Sequence, residues 1–480
     1  MLQQSSIDVD RAVGVFGVDG SVLARLVPAG WVRQALVAAG VVSRTRRTSA
    51  VLGVYLVLAL TLFPEVSVPG VFEKLSGVWG RPGAAVPSKS SLKQRRGSLG
   101  AEPLRLLFLR LRGAGAQVPQ AQWRGLLVCA WDGTLLAAPD VSAVVEVFGK
   151  KGDGKAAASP LVRVLVLVAC GSRAVIDAVF DAYSVGERAL AERLVPSLRP
   201  GMLLLADRGF PGYVLWCRAA GTQAQLCWRV KRNVRLDVHQ VLPDGSGLAW
   251  WQPSATNLSA AVRSNLPEKM LVRVITGWIT VIDERGVRRS ESYRLVTTLT
   301  DHVQYPAPAV LHLYGRRWQV EVAIKGLKCV QGAARLRSRT ADGVRQEVWA
   351  WLCTHQLLRI EAACAAADAS GPGPAEVPQI GFTTLVQRLR DAVIRTGGRG
   401  QDPDQALHRL REATREDVTP IDPRIRVYDR VIKYSVARYR TKKPDQHGHT
   451  VLYEYTIEPA GIPVTSTTAT EQHHPAKINP

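Results

Sequence analysis

The spacing of apolar and polar residues predicts a helical N-terminal region between residues 20 and 115. Its most apolar segment is Val51–Phe63, which follows the N-capping types Thr48 and Ser49 and stops at Pro64. A bilayer-spanning helix needs about 20 apolar residues, so this segment is too short to cross a membrane. We therefore expect a buried helix inside a small helical domain.

Residues beyond 124 change to the pattern of an α/β core. Short apolar runs rich in Val and Leu predict buried strands, and one amphipathic stretch between them predicts a helix. The predicted strands are Leu126–Ala130, Leu161–Ala169, Ala174–Tyr183 and Met202–Ala206, and the predicted helix is Gly186–Leu198. Three strands, a helix and a further buried strand favour an α/β sheet layered with helices.

The rest of the chain divides by composition. Strand-like runs separated by turn signals predict a β-rich insertion, helical periodicity returns after it, and a Gly/Pro/Ala-rich linker then leads into a basic segment. In that segment we expect a hairpin formed by 424–439 and 450–457. The predicted units are a helical DNA-binding domain 1–120, a core in two parts 121–214 and 311–367, an insertion 215–310, a basic region 368–460 and a disordered tail 461–480.

Charge and cysteine usage narrow the function. The chain carries 62 Lys and Arg against 40 Asp and Glu, a net charge of +22, which favours a polyanionic partner such as nucleic acid or an anionic membrane surface. An arginine-rich genome is the competing explanation. The seven cysteines form no Cys-x-x-Cys pair, which is typical of reduced thiols in the cytoplasm. No signal peptide is expected from the first residues.

Two aspartates follow buried strands: Asp132 in the segment CAWDGT and Asp207 in LLADRGF. Strand ends are where sites form in open α/β sheets, although a single Asp after a strand is more often a turn residue. Asp140, eight residues after Asp132, competes for the first position. We favour Asp132 because it directly follows the apolar run.

A third acidic residue lies in the segment YGRRWQVEVAIKGLK, residues 314–328. At about 100° per residue, Tyr314, Arg317, Glu321 and Lys328 fall on one stripe about 60° wide, beside a separate apolar stripe. Trp318 lies near the charged stripe. A surface helix with an Arg–Glu pair would show the same stripe, but it would not need the two upstream aspartates.

The spacing Y-x2-R-x3-E-x6-K resembles the signature of the insertion-element-4 family of bacterial DDE transposases. The segments around Asp132 and Asp207 resemble the two aspartate motifs of that family, and the helical N-terminal stretch resembles the domain that precedes its core. The family often has aromatic residues where this chain has Ala323 and Ile324. The resemblance implies an RNase H-like core with a β-rich insertion, in which Asp132, Asp207 and Glu321 hold two Mg²⁺ ions, with Mn²⁺ as a substitute.

The resemblance also implies DNA-binding roles for the other signature residues. Arg317 and Lys328 would hold phosphates, Tyr314 would position DNA through its hydroxyl, and Trp318 would either stack on a base or pack the helix flank. Further expected backbone contacts are basic side chains elsewhere in the chain. These are Lys93, Arg95, Arg96, Lys150, Lys151 and Lys155, and a C-terminal patch of Arg438, Arg440, Lys442 and Lys443 with Tyr434 and Tyr439. The first three could instead be a solvated helix start.

The expected function is therefore that of a cytoplasmic, nucleoid-associated transposase. It would bind terminal inverted repeats and target DNA, act as a homodimer without membrane contact, and cut and rejoin strands by cut-and-paste transposition. A catalytically inactive DNA-binding descendant is the alternative, but it would have no reason to retain all three acids. A glycosidase with paired carboxylates is disfavoured, because it would not need a charge of +22 and because aromatic residues are only 6% of the chain.

Overall fold

The computed structural model describes most of the chain up to residue 416 and short pieces beyond it. The described ranges are 21–41, 50–79, 87–150, 159–253, 265–282, 288–367, 379–398, 401–416, 418–419, 454–459 and 461. Lys151, Lys155, the C-terminal basic patch and nearly all of the expected tail lie outside these residues.

The N-terminal region is helical, as the sequence predicts. Its helices are α1 (Val22–Leu26), α2 (Ala29–Ala38), α3 (Ala50–Leu62), α4 (Val68–Trp79), α5 (Lys89–Leu99) and α6 (Glu102–Leu111). Every residue of α3 is buried, which explains why its sequence has no polar face. Arg337 donates to the carbonyls of Leu60, Pro64 and Val66, so it satisfies backbone acceptors at the end of α3. No helix in the described residues is long and apolar enough to cross a membrane.

The core sheet is built from strands that lie far apart in the sequence. Its strands are β1 (Gln122–Trp123), β2 (Leu126–Ala137), β3 (Leu161–Ala169), β4 (Val175–Ala182), β5 (Met202–Ala206) and β6 (Gln225–Arg229). They lie in the order β4-β3-β2-β5-β6, with β1 against β2. The first three main strands, β2 to β4, are antiparallel, and β5 and β6 run parallel to β2. This mixed order confirms the expected RNase H-like α/β core.

Three helices accompany these strands: α7 (Ser142–Phe148), α8 (Glu187–Leu194) and α9 (Tyr213–Ala220). The sequence pattern assigned the segment from 215 to the insertion. In the structure, however, most of α9 lies in that segment and leads into β6, which pairs in parallel with β5. The core sheet therefore extends to Arg229. A five-residue strand flanked by turns has the same sequence pattern in either location, and only its pairing partner distinguishes the two.

The insertion continues the same sheet instead of forming a separate one. Its strands are β7 (Asp237–Val241), β8 (Gly247–Trp251), β9 (Met270–Ile282) and β10 (Arg288–Thr297), in the order β6-β10-β9-β8-β7. The late strand Glu454–Pro459 pairs with β9, so this end of the expected C-terminal hairpin joins the insertion. Arg273 of β9 is fully buried and contacts Asp244, Ser246 and two carbonyls.

Helices after the insertion cover one face of the core sheet. They are α10 (Ala307–Tyr314), α11 (Trp318–Lys325), α12 (Ala341–Ala367), α13 (Phe382–Gly398) and α14 (Pro403–Glu416). A short β-ladder, Gln379–Ile380 with Val418–Thr419, lies beside them. One hydrophobic core joins these helices and the N-terminal helices to this face. A second core packs α8 and α9 on the opposite face.

Candidate active site

Asp132 lies inside β2, five residues before the strand ends, and not at the strand end that its sequence pattern suggests. In the parallel pairing of β2 with β5, Ala130 is the partner of Leu205. Two residues further along each parallel strand are Asp132 and Asp207, so the two aspartates are brought to the same edge of neighbouring strands. The two strands that carry the aspartates are therefore neighbours in the sheet.

Asp207 begins the turn that follows β5. Its Oδ1 atom accepts a hydrogen bond of 2.8 Å from the backbone N–H of Gly209. Arg188 of α8 holds the same loop by donating to the carbonyls of Gly209 and Pro211. Asp207 therefore has the turn role that a lone Asp after a strand usually has, and its second carboxylate oxygen is not used in this turn.

Aromatic side chains on the sheet face that α8 and α9 cover connect the segment around Asp132 to the segment around Asp207. Trp131 is fully buried, and its ring lies 5.5 Å from that of Phe210 and 5.7 Å from that of Trp228. Successive strand residues point to opposite faces, so this packing directs Asp132 towards the helices on the other face. Sequence reasoning missed Trp131 and Phe210 as positioning residues, although each lies within three residues of an aspartate.

Glu321 is supplied by α11, which packs against β2 and β3. The sequence predicts one regular helix over 314–328, whereas the structure has a 3-10 turn at Gly315–Arg317, the α-helix α11, and a π-helical turn at Gly326–Val330. The helical periodicity still predicts correctly that Arg317 and Glu321, four residues apart, are neighbours. The helix type therefore changes on both sides of α11, and the regular spacing of about 100° per residue does not hold from Tyr314 to Lys328.

Arg317 joins Glu321 to Asp132. Its Nη2 atom lies 2.8 Å from Oε1 of Glu321, and its Nη1 atom lies 3.9 Å from Oδ2 of Asp132. All three side chains are largely buried, with 14% of Arg317 and 21% of each acid exposed. Within the described parts of the chain, Nη1 of Arg317 has no hydrogen-bond partner. A single guanidinium therefore balances two carboxylates in a nearly dry environment.

Burial raises the pKa of Asp132 from its ordinary 3.8 to about 7. Arg317 and the N–H of Gly133 lower the pKa, but the charges of Glu321 and Asp207 raise it further. Burial alone would lower the pKa of Arg317, whereas its interactions with Tyr314, Glu321 and Asp132 raise it. Glu321 and Asp207 therefore both act electrostatically on Asp132, although the three acids come from distant parts of the chain.

The other signature residues lie in different surroundings. Tyr314 is buried, and its hydroxyl donates to the carbonyl of Ala206 at 3.1 Å, directly before Asp207. This contradicts the expectation that the hydroxyl faces DNA, because a buried hydroxyl must find a protein acceptor. Trp318 is half-buried on α11, and Lys328 is half-buried in the π-helical turn.

The donor set fits a hard divalent cation in chemical type. Asp132, Asp207 and Glu321 offer only carboxylate oxygens, which Mg²⁺ and Mn²⁺ prefer, and their mutual repulsion is what a cation would relieve. As the side chains stand, no group of three or more His, Cys, Asp or Glu in the described part of the chain is placed to hold a metal ion. Arg317 provides the positive charge beside Asp132 and Glu321 instead.

Asp140 and the more distant cations are not part of this cluster. Asp140 is 49% exposed and forms an ion pair of 2.7 Å with Lys150. Each of these two side chains therefore has a partner of opposite charge without a metal ion or DNA. Arg96 is tied to Ser338 at 2.9 Å and to Gln346 at 3.1 Å, so it fastens α5 to the region around α12.

Burial lowers the pKa of Arg96. Arg96 is therefore not part of a solvated helix start, which the sequence offered as an alternative. The side chain of Arg95 lies along the backbone of Gly53, since an added Cβ at Gly53 would be 3.5 Å from its Cγ. Of the three N-terminal cations, Lys93 is exposed. The basic surface of α5 is therefore narrower than its sequence indicates.

Comparison with known proteins identifies the class of protein. Residues 18–109 match the family profile described as "Insertion element 4 transposase N-terminal", and residues 123–357 match the one described as "Transposase DDE domain". Both profiles cover segments in which the structure places the N-terminal helices and the three acids. They define a transposase of the DDE class, which implies the use of a divalent metal.

Curated relatives point to one family within that class. The chain is 24% identical over 307 residues to the transposase InsG for insertion sequence element IS4 of Escherichia coli, a match covering 62% of this chain and 67% of that protein. It is 25% identical to the putative transposase y4zB of Sinorhizobium fredii, over 35% of this chain and 44% of that protein. The chain belongs to the insertion-element-4 family of DDE transposases.

A solved structure was also found to be similar. It is the cryo-EM structure of the piggyBac transposase synaptic complex with hairpin DNA, at 9% sequence identity, covering 86% of this chain and 85% of that one. The TM-score of 0.39 is too low to support an inference.

Proposed function

We propose that this protein binds the terminal inverted repeats of its own mobile element, cleaves the DNA strands there and joins the released ends to target DNA. The observation that supports the proposal is that Arg317 contacts both Asp132 and Glu321, while the pairing of β2 with β5 puts Asp207 just beyond the neighbouring strand. A structural role alone would not require burying acids that repel one another.

Asp132, Asp207 and Glu321 would hold Mg²⁺, with Mn²⁺ able to replace it, and two ions would occupy the site. When bound, such a pair activates the attacking oxygen and stabilises the leaving oxygen of an in-line displacement. The protein supplies the carboxylates in fixed positions. β2 fixes Asp132, the turn braced by Arg188 fixes Asp207, and the contact of α11 with the sheet fixes Glu321.

Arg317 has two roles in this proposal. Without metal, the positive charge of Arg317 offsets the negative charges of Asp132 and Glu321. It therefore reduces the repulsion between the two carboxylates. Cations at the carboxylates would weaken its ion pair with Glu321, and the guanidinium could then hold a DNA phosphate in a two-point contact. Tyr314 would act indirectly, by holding the end of β5 and therefore Asp207. Lys328 would contribute a further phosphate contact.

DNA recognition would rest on the remaining basic surface. We propose that the helical region 1–120 binds the element ends, with Lys93 as an exposed contact, and that the insertion and the basic region 368–460 add backbone contacts. The net charge of +22 supports a large electrostatic contribution to affinity. Two copies of the chain would pair two element ends in a synaptic complex.

The test compares cleavage with binding on DNA that carries the element ends. Asp132→Ala, Asp207→Ala and Glu321→Ala should each reduce cleavage by at least about a thousandfold while end binding changes less than about threefold, because most of the interface is backbone contact. Combining two of these changes should add little further loss. Wild-type cleavage should require Mg²⁺ or Mn²⁺ and should stop with a chelator, and Ca²⁺ should support binding without cleavage.

Asp140→Ala is the matched control, because Asp140 is an aspartate of the same region that is paired with Lys150 at the surface. It should cleave like the wild type. Cleavage that continues in chelator would refute the metal-dependent mechanism. End binding without cleavage by the wild type in any of these metals would favour the inactive DNA-binding alternative.

A further inference from the structure

A second group of buried charged side chains lies beneath the π-helical turn, and the proposed reaction does not use it. His355 and Arg359 are four residues apart on α12, Gln331 follows the π-helical turn, and Arg173 lies in the turn between β3 and β4. The exposed fractions are 2% for His355, 3% for Arg359, 0% for Gln331 and 8% for Arg173. Two arginines are therefore enclosed within the protein.

These side chains contact one another through neutral partners. Nδ1 of His355 lies 3.0 Å from Oε1 of Gln331, and Nε of Arg173 donates to Oε1 of Gln319 at 2.8 Å. The guanidinium of Arg359 lies over the ring of Phe382 at 4.1 Å. None of these partners carries a negative charge that could balance either guanidinium.

Several buried donors in the group have no acceptor among the residues that the structure describes. They are Nε and Nη2 of Arg359, Nη2 of Arg173 and Nε2 of Gln331. An added Cβ at Gly326 would lie 3.4 Å from Nη2 of Arg359, so this donor lies beside the start of the π-helical turn. In native proteins, buried polar atoms nearly always have a protein, water or ion partner.

The electrostatic environment of the two arginines distinguishes a water molecule from an anion as the missing partner. Burial lowers the pKa of Arg359 well below its ordinary range, and the charge of Arg173 lowers it further. Burial also lowers the pKa of Arg173 to about 10. Water could accept the hydrogen bonds, but it could not offset two neighbouring positive charges in a low-dielectric interior. An anion would do both.

We propose that a small inorganic anion, a halide or a phosphate-type oxyanion, binds between Arg173 and Arg359 and is held by their free donors and by Gln331. The side chains are too deeply buried for a DNA duplex to reach, so the anion is a structural ligand. It would hold the π-helical turn, which directly follows α11, against α12. Its removal should therefore loosen the segment that carries Glu321 and Lys328.

The experiment measures thermal unfolding of the full chain in sodium gluconate, whose anion is bulky, and in chloride, bromide or phosphate at equal ionic strength. We expect the wild-type Tm to rise by several degrees with at least one small anion and to saturate. In Arg359→Met this rise should disappear. The variant should match or exceed the wild type in gluconate, because it lacks a buried unpaired charge.

Arg173→Asn is the second variant, since Asn tolerates the positive φ of 59° at this position. It should also lose the saturating rise. Arg339→Met, which removes an exposed arginine, should keep it. A Tm that rises equally in gluconate, or that rises only with duplex DNA, would overturn the proposal.

Crystals grown in bromide give a direct measurement. An anomalous peak at the bromine edge, within hydrogen-bonding distance of Arg173 and Arg359, would confirm a halide there, and tetrahedral density from phosphate would confirm an oxyanion. A well-ordered water in that position under all conditions would overturn the proposal, whether or not the enzyme cleaves DNA.

Discussion

Replacing Asp132 with Asn should abolish cleavage and yet make the metal-free protein more stable at neutral and alkaline pH. Burial together with the charges of Glu321 and Asp207 disfavours the ionised carboxylate, and Arg317 offsets this only in part. Asn has nearly the same shape as a protonated Asp and never ionises. The variant therefore removes the cost of a charge that the protein holds for metal binding.

The pKa of Asp132 sets the size of the expected difference in the free energy of unfolding between the wild type and Asp132→Asn. A rise from 3.8 to about 7 corresponds to roughly 4 kcal/mol between the protonation states. Because the folded-state pKa is raised, the stability that this carboxyl contributes is fully present below pH 3.8 and is lost as the pH rises through about 7. The wild type should lose up to roughly 4 kcal/mol relative to Asp132→Asn between about pH 4 and pH 8.

Urea unfolding in chelator at several pH values measures this difference directly. The free energies of unfolding of the two proteins should coincide near pH 4 and separate as the pH rises. Mg²⁺ at pH 8 should narrow the gap by stabilising the wild type alone. Asp140→Asn is the control and should show no such widening, because that carboxylate is exposed and paired. A variant that is equal to or less stable than the wild type at pH 8 would refute the reasoning.

Other side chains give predictions of the same kind. Tyr314→Phe should cost about 1 kcal/mol of stability and slow cleavage without weakening DNA binding, because it loses only the hydrogen bond to the end of β5; urea unfolding and single-turnover cleavage check this. Arg273→Met should destabilise by about 3–5 kcal/mol, because it leaves Asp244 unpaired, and a loss below about 1 kcal/mol in urea would contradict it. Arg96→Ala should lower Tm with little change in the salt dependence of end binding. Lys93→Ala should leave Tm unchanged and reduce the slope of log affinity against log salt by about one.

The sequence by itself determined the elements whose residues face one kind of environment. The unbroken apolar run from Val51 can only be buried on all sides, and α3 is buried along its whole length. The Val- and Leu-rich runs became β2, β3 and β5 because a strand covered on both faces is apolar at most of its positions. The four-residue spacing of Arg317 and Glu321 likewise fixed that they meet, because it is a property of one helical turn.

Tertiary structure decided what depends on partners far away in the chain. The pairing of β2 with β5 put Asp132 and Asp207 each two residues beyond the last paired positions of neighbouring strands, although 75 residues separate them in the sequence. Arg96 and Lys93 look alike in a basic segment, but only Arg96 faces the groups near α12 that can satisfy a buried guanidinium. Tyr314 points inwards to Ala206 for the same reason. Sequence periodicity specifies a face of a helix or strand, whereas the element that meets this face, and therefore the charge and hydration there, exists only in the folded chain.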